Sequence, residues 1–496
     1  MKLSLLIGDL DDPQIYGDVD VEIEGIAYDS RKCDKGFLFV ALRGMNVDGH
    51  NFISAGIKRG ANAVLCEEIP EGLEAEGITF VVVRDSRRAL AEVSHRFYDY
   101  PTKGLNVIGI TGTNGKTTTT YLIKSIYEEA GEKTALIGTT GIIIDDEFIP
   151  PTHTTPESLE LCKLFVEMRE KNVTTVIMEV SSHALAQSRV WGIDFDTAIF
   201  TNLTPDHLDY HEDMFEYATA KKQLFDMLKP ESKAIVFNNS EFSEYVVRDC
   251  QAKVYFVGRD KGNDIRIKSE KMSLGHSAFE LKGEINGNKI DLEFEISLSG
   301  KFNIENASLA SVTALANNID YETISKALAK ASGAPGRMQA INLQSGALAL
   351  VDYAHTPDAL EKALQACRDI LLENKNGGNL ICVFGCGGDR DKTKRPIMGN
   401  ISARIADYTV ITSDNPRTEE PEKIIDEIYG GIDTGLKSKV VSISHRGEAI
   451  KYAVNFAKAG DILLVAGKGH EKYQIIGTER IHFDDAEEIK KNDMSI

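Results

Sequence analysis

The chain has 496 residues, 42% of them hydrophobic, and a formal net charge of −20. This length predicts about three domains with ample apolar cores, and an acidic chain without a basic tail is not expected to bind nucleic acid as its main activity. Anionic ligands are not excluded, because local lysines, arginines or Mg²⁺ offset the global field.

The distribution of cysteines and apolar residues predicts a cytosolic protein without a membrane partner. The seven cysteines are scattered, and their number is odd, which is typical of a reducing compartment. Cys382 and Cys386 fall on a predicted strand and turn, where packing is the expected role. Asp9, Asp11 and Asp12 come too early for a secretory signal, and no apolar run approaches the roughly 20 residues that span a bilayer.

Residues 1–103 are predicted to form a small N-terminal α/β domain. An amphipathic helix is expected at about 86–98, with Ser86 as its N-cap, and residues 100–104 are typical of a linker. The polar segments 29–31 and 43–50 follow strands, so they either bind a ligand or form turns. The predicted strands are residues 23–28, 37–41, 63–66 and 79–83.

Residues 105–120, LNVIGITGTNGKTTTT, predict a phosphate-binding loop. An apolar run ends before Gly112, two residues separate Gly112 from Gly115, and Lys116 and Thr117 open a helical pattern. In such a turn the backbone N–H groups face the anion, the lysine reaches the outer phosphates and the threonine hydroxyl holds Mg²⁺. The loop is shorter than the usual pattern, and an ordinary strand-to-helix turn is the alternative.

Alternating strands and helices after the loop predict a mostly parallel sheet within a central domain, residues 104–334. Ligands of such sheets bind beyond the carboxyl ends of the strands, where Glu179 and His207 occur. Glu179 with Thr117 is a candidate Mg²⁺ site, although such a carboxylate is often a helix cap or an ion-pair member. His207 alone fits a ligand or a structural residue equally. The predicted strands are residues 134–137, 175–180, 197–202 and 234–238.

Three further residues in this domain have ambiguous patterns. Lys221 lies on a helical stretch, where a lysine is nearly always a solvated charge, and its periodicity gives no other indication. Residues 265–298 are more strand-like. Asn303 and Asn306 follow, one helical turn apart, so both can face one ligand; equally, they can be cap and turn residues.

Residues 335–496 predict a Rossmann-like, doubly wound C-terminal domain. Four strands each end in a polar or glycine-containing loop, so these loops are expected to meet at one mouth. Arginines with amide and acid groups suit a ligand that bears carboxylate and ammonium, because arginine grips a carboxylate with a planar fork; any single member can instead be a surface ion pair. The strands are 347–351, 379–385, 408–412 and 461–466, and the mouth residues are Arg390, Asp414, Asn415, Arg417 and Glu471.

Five motifs together resemble the Mur ligases, ATP-dependent amide-forming enzymes of peptidoglycan precursor synthesis. The resemblance covers nearly the whole chain and implies an N-terminal domain for a UDP-sugar, a central P-loop ATPase and a C-terminal domain for the incoming amino acid. The Asp-Asn-Pro-Arg sequence at 414–417 resembles the diaminopimelate-adding branch. The motifs are TGTNGKT at 111–117, EVSSH at 179–183, NLTPDHLD at 202–209, DYAHTP at 352–357 and GKGHE at 467–471.

The resemblance also implies roles residue by residue. Lys221 matches a lysine that is carbamylated in the family, which would make it a Mg²⁺ ligand, although the adjacent Lys222 makes the register worth testing. The implied catalytic residues are Lys116, Glu179, His207 and Lys221, and the implied metal ligands are Thr117, Glu179, His207 and Lys221. ATP is expected to bind Gly112, Thr113, Asn114, Gly115, Lys116, Thr117, Thr118, Asn303, Arg337, Asp352 and His355. The UDP-substrate is expected to bind Ser30, Thr154, Thr155, Ser181, Gln187 and Arg189, and the amino acid Arg390, Asp414, Asn415, Pro416, Arg417, Gly467 and Glu471.

The implied reaction uses ATP, Mg²⁺, UDP-MurNAc-L-Ala-D-Glu and meso-diaminopimelate. Phosphoryl transfer to the free carboxylate of the D-Glu residue gives an acyl phosphate, which the amine attacks. The nearest rival is a folylpolyglutamate synthetase, against which stand the N-terminal domain and the Asp-Asn-Pro-Arg motif. A non-catalytic nucleotide-binding protein is a second rival, against which stand Lys116, Glu179 and His207. The chain is expected to act as a monomer.

Overall fold

The computed structural model describes residues 1–44, 47–73, 77–206, 210–373 and 377–494. The chain forms two compact units. The first comprises Met1–Lys116 and Gly131–Tyr255, and the second comprises Thr117–Ala130 and Phe256–Ile496. The three-domain division at residues 103 and 334 stays a prediction.

The N-terminal part of the first unit is a small α/β layer. Its sheet has the order β1-β5-β4-β3-β2, with β1 antiparallel at one edge and the other strands parallel. Apolar side chains from both faces of this sheet are fully buried. The elements are α1 (Leu3–Leu6), β1 (Gln14–Tyr16), β2 (Gly25–Ala27), β3 (Phe37–Val40), α2 (Ile53–Lys58), β4 (Ala63–Cys66), β5 (Thr79–Val82) and α3 (Ser86–Phe97), with 3₁₀ helices at Ser30–Lys32 and Gly49–Phe52.

The predicted N-cap of α3 is wrong by one residue. Asp85 caps the helix, because its Oδ1 accepts hydrogen bonds from the N–H groups of Arg87 and Arg88, both at 3.0 Å. Ser86 instead donates from its N–H and its hydroxyl to Glu67 Oε1, at 3.1 and 2.8 Å. A carboxylate one position earlier satisfies two of the unpaired N–H groups at the helix start, which leaves the serine to anchor the buried side.

The rest of the first unit is built on a mostly parallel sheet, as the sequence predicts. Its strand order is β12-β11-β6-β10-β7-β8-β9; the first five strands are parallel, and β8 and β9 extend the edge as antiparallel strands. Since β6 lies between β10 and β11, the loop that follows β6 is flanked by the ends of both. The elements are β6 (Asn106–Thr111), α4 (Lys116–Glu129), β7 (Thr134–Gly138), β8 (Gly141–Ile144), β9 (Glu147–Ile149), α5 (Ser158–Glu170), β10 (Thr175–Glu179), α6 (Ser182–Ala186), β11 (Thr197–Phe200), α7 (Met214–Asp226), β12 (Lys233–Phe237) and α8 (Phe242–Tyr245).

The second unit begins with α4 beyond Lys116 and resumes within β13. Its first sheet runs β13-β14-β15-β16, with β13 parallel to β14 and the last three strands antiparallel. Helix α9 packs against β15, and α10 packs against β16. The elements are β13 (Lys253–Gly258), β14 (Ile265–Ser273), β15 (His276–Ile285), β16 (Asn288–Ile296), α9 (Lys301–Ala316) and α10 (Tyr321–Lys330).

The C-terminal part of the second unit is the predicted doubly wound layer. Its six-stranded sheet has the order β17-β18-β22-β19-β20-β21, with only β17 antiparallel, and apolar clusters lie on both faces. The elements are β17 (Gln339–Asn342), β18 (Leu348–Asp352), α11 (Pro357–Glu373), β19 (Leu380–Phe384), α12 (Lys394–Ile405), β20 (Tyr408–Ile411), α13 (Pro421–Gly430), β21 (Val440–Ser442), α14 (Arg446–Phe456), β22 (Ile462–Ala466), the hairpin β23 (Tyr473–Ile476) and β24 (Glu479–His482), and α15 (Asp485–Asp493), with a 3₁₀ helix at Thr434–Lys439.

The cysteines have structural environments. All seven are free thiols, and six of them are buried. Cys382 is fully buried, and the Sγ of Cys386 lies 3.7 Å from the Sδ of Met398, so this pair packs in the core as expected. Burial raises the pKa of the Cys382 thiol to about 12. Within the part of the chain that the structure describes, we find no helix with the length and apolar character needed to cross a bilayer.

A fully buried ion pair joins the strand ends of the C-terminal sheet. The guanidinium of Arg446 donates from Nε and Nη2 to the two carboxylate oxygens of Asp485 at 2.7 and 2.6 Å, and Nη2 also donates to Ala466 O at 3.1 Å. Neither side chain of the pair is exposed. The pair therefore fixes α14 and α15 to the end of β22.

We expect Asp485→Asn to lower the free energy of unfolding by about 3–5 kcal/mol, because the arginine is left buried without its counter-charge. Urea denaturation followed by fluorescence measures this change. Glu420→Gln is the control, since Glu420 pairs with Lys423 on the surface, where both side chains are about 70% exposed; it should leave the unfolding midpoint nearly unchanged. Equal effects of the two substitutions would contradict the importance of the buried pair.

Candidate active site

The predicted phosphate loop is a tight turn between β6 and α4. Gly112 and Gly115 have φ values of +146° and +85°, in the region that favours glycine. A Cβ atom on Gly112 would lie 1.9 Å from the hydroxyl oxygen of Thr201. The sequence therefore has glycine where the backbone must pass directly against the segment that follows β11.

That segment also holds the loop by hydrogen bonds. The N–H of Thr113 donates to Asn202 O, and the N–H of Asn114 donates to Asn202 Oδ1, both at 2.9 Å. The hydroxyl of Thr201 donates to Asn114 O at 2.6 Å. Sequence analysis assigned no role to Thr201 or Asn202, although both occur where β11 ends.

Two lysine side chains meet at one oxygen of this loop. The Nζ atoms of Lys116 and Lys221 each donate to Gly112 O at 2.8 Å, and Lys116 Nζ also donates to Thr113 O at 2.9 Å. Lys221 is 1% exposed and lies with its Nζ 4.4 Å above the ring centre of Tyr217. Burial first and the charge of Lys116 second lower the pKa of Lys221 well below its usual value, against an opposing effect of Asp206.

The expectation from periodicity that Lys221 is a solvated charge is wrong, because α7 turns this side chain towards the loop. The adjacent Lys222 has the opposite environment. Its Nζ pairs with Asp226 at 2.6 Å and Asp249 at 2.7 Å. Burial opposes the charge of Lys222, but the two carboxylates outweigh it and raise the pKa. Of the two lysines, Lys221 is therefore the one with access to an uncharged amine.

Glu179 ends β10 with a buried carboxylate. The side chain is 1% exposed and accepts hydrogen bonds from the N–H and the hydroxyl of Thr139, at 2.9 and 3.1 Å. A Cβ atom on Gly138 would lie 2.4 Å from its Oε1, so a glycine at the end of β7 makes room for it. These contacts do not support the alternative that Glu179 is an ion-pair member, because both donors to its carboxylate are neutral. β10 pairs with β6, the strand that leads to the phosphate loop.

The remaining predicted metal ligands differ in how far the structure describes them. Thr117 is 8% exposed in the first turn of α4, and His207 lies outside the described residues. Among the residues that are described, no group of three or more His, Cys, Asp or Glu side chains is arranged to hold a metal. A carboxylate and a hydroxyl suit Mg²⁺, which takes few protein ligands when phosphates and waters complete its shell. An ammonium is not a ligand, so Lys221 fits such a site only once its charge is removed.

Four of the residues expected at the UDP-substrate form one hydrogen-bonded cluster. The hydroxyl of Thr155 donates to Glu179 O at 2.8 Å and accepts from the N–H of Ser181 at 3.1 Å. Arg189 donates from Nη1 to Thr155 O at 3.0 Å and from Nη2 to Gln187 Oε1 at 2.8 Å. The cluster thus connects directly to the end of β10.

Two other predicted residues relate differently to this cluster. The Thr154 hydroxyl lies 3.2 Å from that of Thr139, which donates to the Glu179 carboxylate. In the described contacts, Thr154 is therefore linked to the cluster through Thr139 and Glu179. Ser30 opens a 3₁₀ helix of the N-terminal layer that Asp29 caps, and its described contacts do not include the cluster. Glu157, which sequence analysis did not select, pairs with Arg189 at 3.1 Å.

Within the second unit, polar residues of α4 and α9 contact one another. The hydroxyl of Thr119 donates to Asn306 Oδ1 at 3.3 Å, which ties the two helices together. Asn303 donates from Nδ2 to Ser299 O at 2.9 Å, a local bond at the start of α9. Asn303 thus makes a contact within its own turn, Asn306 makes a contact between helices, and the ligand role of these residues stays a prediction. Thr118 follows Thr117 in the first turn of α4.

The other residues expected at the nucleotide gather around Tyr353. The Arg337 guanidinium lies 5.4 Å from the Tyr353 ring centre, and the rings of His355 and His470 lie 4.6 and 5.0 Å from it. Asp352 accepts from the N–H groups of Met338 and Ala354 at 2.8 and 2.9 Å. Sequence analysis did not single out Tyr353, whose ring is the common contact of this cluster.

The predicted amino-acid pocket is held together by a lysine that sequence analysis missed. Lys468 is fully buried and donates to Asn415 Oδ1 and Glu471 Oε2, both at 3.2 Å, and Asn415 Nδ2 donates to Glu471 Oε2 at 3.0 Å. A Cβ on Gly467 would lie 2.6 Å from Asp414 Oδ2. Loops that follow β20 and β22 thus meet, as the sequence predicts. Asp414, Asn415 and Pro416 are all buried.

Arg417 occupies an unusual backbone position beside these residues. Its φ is +51°, which is uncommon for a residue with a side chain. Hydrogen bonds from its N–H to Ile475 O (3.1 Å) and from the Gly477 N–H to its carbonyl (2.7 Å) attach it to the β23–β24 hairpin. Arg390, by contrast, is exposed in the loop after β19.

Three domain families match the chain in sequence order. The Mur ligase catalytic domain matches residues 22–98, the Mur ligase middle domain matches residues 110–314, and the glutamate ligase domain of the Mur ligases matches residues 336–469. A UDP-N-acetylmuramoyl-L-alanyl-D-glutamate–2,6-diaminopimelate ligase 1 of Clostridium acetobutylicum is 44% identical over 496 residues, which cover 99% of each chain. The chain belongs to the Mur ligase family. The resemblance drawn from its five motifs is therefore confirmed.

Solved structures agree with this assignment. A UDP-N-acetylmuramoyl-L-alanyl-D-glutamate–2,6-diaminopimelate ligase with 33% identity superposes with a TM-score of 0.72, covering 100% of this chain and 99% of that one. A folylpolyglutamate synthase from Thermotoga maritima has 18% identity and a TM-score of 0.59, and it covers 77% of this Mur ligase. The latter similarity concerns the fold alone.

We expect Gly112→Ala to weaken ATP binding about tenfold or more, because a methyl group there collides with Thr201 and strains the loop. Isothermal titration with a non-hydrolysable ATP analogue measures this. Gly131→Ala is a matched control: Gly131 also has a positive φ, +84°, but open space surrounds its Cβ position. It should cost about 1 kcal/mol of stability and leave ATP affinity unchanged. A similar loss of affinity in both variants would contradict the steric argument.

Proposed function

We propose that this protein is the ligase that adds meso-diaminopimelate to UDP-MurNAc-L-Ala-D-Glu in the cytosol, at the expense of ATP and through an acyl phosphate. The observation that carries the proposal is the full-length similarity, at 44% identity, to a relative of that name. The buried contacts around Asn415 and Arg417 support the choice of amino acid. Three domains, residues 1–103, 104–334 and 335–496, are expected to bind the UDP-sugar, ATP and the amino acid respectively, in a monomer.

The phosphate loop supplies positive charge where phosphoryl transfer needs it. A carboxylate is a poor electrophile, so its oxygen first attacks the γ-phosphorus of ATP, the bond to the β-phosphate breaks, and ADP leaves. Lys116 and the N–H groups at the start of α4 stabilise the charge that develops on the phosphoryl oxygens. The amine of the second substrate then attacks the acyl carbon, inorganic phosphate departs, and the amine loses a proton.

Lys221 acts in this reaction as a carbamate. Its uncharged amine attacks CO₂, a bond forms between Nζ and carbon as one C=O π bond opens onto oxygen, and one proton leaves Nζ to solvent, so that a neutral amine becomes an anion. When bound, Mg²⁺ supplies charge neutralisation for the transferred phosphoryl group. The residues that would hold it are Thr117, Glu179, His207 and carbamylated Lys221.

The UDP-substrate brings its reacting carboxylate to the end of β10. Thr154, Thr155, Ser181, Gln187 and Arg189 bind the muramoyl-dipeptide, and Ser30 meets the uridine end. The cluster around Thr155 supports this proposal because Thr155 binds both Glu179 O and Arg189, a cation suited to an acidic peptide. ATP is proposed to bind along the loop and at Asn303, Arg337, Asp352 and His355.

The distal end of meso-diaminopimelate carries a carboxylate and an ammonium, and the C-terminal pocket has groups for both. The guanidinium of Arg417 grips the carboxylate as a fork, with Arg390 near the same loop, while Glu471 and Asp414 face the ammonium. L-Lysine lacks the distal carboxylate, so its binding leaves an arginine without its partner, which strongly disfavours it. Asn415, Pro416 and Gly467 shape the pocket.

Oxygen tracing tests the acyl phosphate directly. With ¹⁸O in the D-Glu carboxylate, the proposal requires one labelled oxygen in the inorganic phosphate released when ATP, UDP-dipeptide and meso-diaminopimelate are all present. Phosphate without label would refute the mechanism. Phosphate release that depends on a folate and glutamate instead would favour a folylpolyglutamate synthetase, and nucleotide binding without turnover would favour a regulatory protein.

We expect Arg417→Lys to reduce kcat/KM for meso-diaminopimelate by roughly tenfold to a hundredfold, because an ammonium cannot replace both bonds of the fork. Steady-state phosphate release measures the effect. The control is Arg404→Lys, at an exposed position of α12, which should behave as the unaltered enzyme. Equal use of meso-diaminopimelate and L-lysine by the unaltered enzyme would argue against the role of Arg417.

Carbamylation should be confined to one lysine. In ¹³C-bicarbonate, the unaltered protein is expected to show a carbamate resonance by NMR that Lys221→Gln removes. Lys222→Gln is the matched control, since Lys222 is kept charged by Asp226 and Asp249, and it should retain the resonance. A signal that survives Lys221→Gln and disappears in Lys222→Gln would transfer the role to the neighbour.

A further inference from the structure

The side chain of Arg417 is anchored to a neighbouring turn. Its Nη1 donates to Gly388 O at 2.7 Å, and the Gly388 N–H donates to Asn415 O at 2.9 Å. We call residues 387–389 the bracing turn. A Cβ atom on Gly388 would lie 1.9 Å from Pro416 O, so the two backbones are in direct contact. Movement of the bracing turn must therefore move Arg417.

The bracing turn is itself held by an ion pair behind it. Arg395 on α12 has a fully buried side chain and donates from Nη1 and Nη2 to the two carboxylate oxygens of Glu419, at 3.0 and 2.9 Å. Arg395 Nη2 also donates to Gly387 O at 3.2 Å, and the Asp389 N–H donates to Glu419 Oε1 at 2.7 Å. Arg395 thus binds the bracing turn at Gly387, and Glu419 binds it at Asp389.

Glu419 remains ionised under all ordinary conditions. Hydrogen bonds from Arg395, from the Asp389 N–H and from Lys392 hold the pKa of its carboxyl far below the usual range. Asp389 adds a second link, because its carboxylate accepts from the hydroxyl of Thr418 at 2.8 Å and from the Thr418 N–H at 3.2 Å. Asp389 and Arg417 both have left-handed backbones, with φ of +53° and +51°, which neighbouring contacts must maintain.

We propose that Glu419 and Arg395 are positioning residues that set the choice of amino acid by fixing the plane of the Arg417 guanidinium. With Nη1 held at Gly388 O, the direction of the Nε–Nη2 edge is fixed, and this is an edge that grips a carboxylate as a fork. A fork is selective only if it is aimed before the ligand arrives. The inference deepens the proposed function and rests on it, since it explains how that pocket distinguishes a diamino diacid from lysine.

The chain provides a matched control on the other side of the same arginine. Glu427 on α13 accepts from Arg395 Nη1 at 2.7 Å and is 43% exposed, but its described contacts do not include the bracing turn. Glu427→Gln removes an ion pair of Arg395 without releasing Gly387 or Asp389. Glu419→Gln changes the size of the side chain as little as Glu427→Gln does, but it replaces one acceptor oxygen at the bracing turn by an amide donor.

The test compares the full-length variants in the phosphate-release assay. For Glu419→Gln we expect KM for meso-diaminopimelate to rise about tenfold, with kcat and the KM values for ATP and the UDP-dipeptide within about twofold, and the preference for meso-diaminopimelate over L-lysine to fall in proportion. Glu427→Gln should leave the preference unchanged. In an Arg417→Lys background, Glu419→Gln should have little further effect, because both changes act through one guanidinium.

Several results would overturn the inference. These are an unchanged KM and preference in folded Glu419→Gln, an equal effect of Glu427→Gln, or an effect of Glu419→Gln that multiplies with that of Arg417→Lys. If Glu419→Gln does not fold, Thr418→Val removes the hydroxyl bond to Asp389 from an exposed position and should raise the same KM about threefold; no change there would equally refute the proposal. The unaltered enzyme alone decides the proposed function, since it either requires meso-diaminopimelate or does not.

Discussion

One carbonyl oxygen, that of Gly112, organises the reactive end of the first unit. Lys116 reaches it from the start of α4, and Lys221 reaches it from α7. Two ammonium groups on one acceptor repel each other, and burial adds to the cost of the charge on Lys221. The arrangement is relieved when a phosphate approaches or when Lys221 loses its charge. Both events belong to the proposed reaction, in which ATP binds at the glycine turn and Lys221 is carbamylated.

In the C-terminal layer, buried arginines have a different role, because they anchor loops and helices through ion pairs. Arg446 and Asp485 fasten α14 and α15 beside the end of β22, and Arg395 and Glu419 fasten the turn beside Arg417. A buried pair is weak evidence for stability in itself, but removal of one partner is costly. Because the loss of one partner costs free energy of unfolding, each pair keeps its two segments in a fixed arrangement. These pairs thereby fix the loops before a substrate arrives.

What the sequence predicts well in this chain is local. The strand, turn and helix of the phosphate loop are consecutive in the sequence, and alternating apolar runs predict the mostly parallel sheets of the central and C-terminal domains. What it does not predict depends on long-range contact. Periodicity makes Lys221 a solvated charge because it cannot show that α7 faces Gly112, more than a hundred residues earlier in the chain. The burial of Lys468 is missed for the same reason, because its partner Asn415 lies 53 residues away. The contact of Ser86 with Glu67 is also long-range, whereas the cap at Asp85 is local and the sequence could have shown it.

The charge of the protein shows why local geometry decides ligand choice. A net charge of −20 repels a nucleotide and an acidic peptide at long range, but salt screens such fields beyond about 8 Å at physiological ionic strength. Within that distance the proposed nucleotide site offers the Lys116 side chain and the N-terminus of α4. Under the proposed function, selectivity for anions comes from a few oriented donors close to the ligand, where salt screens the interaction less than at long range. An acidic protein can bind acidic substrates for this reason, and the overall charge constrains mainly how fast they arrive.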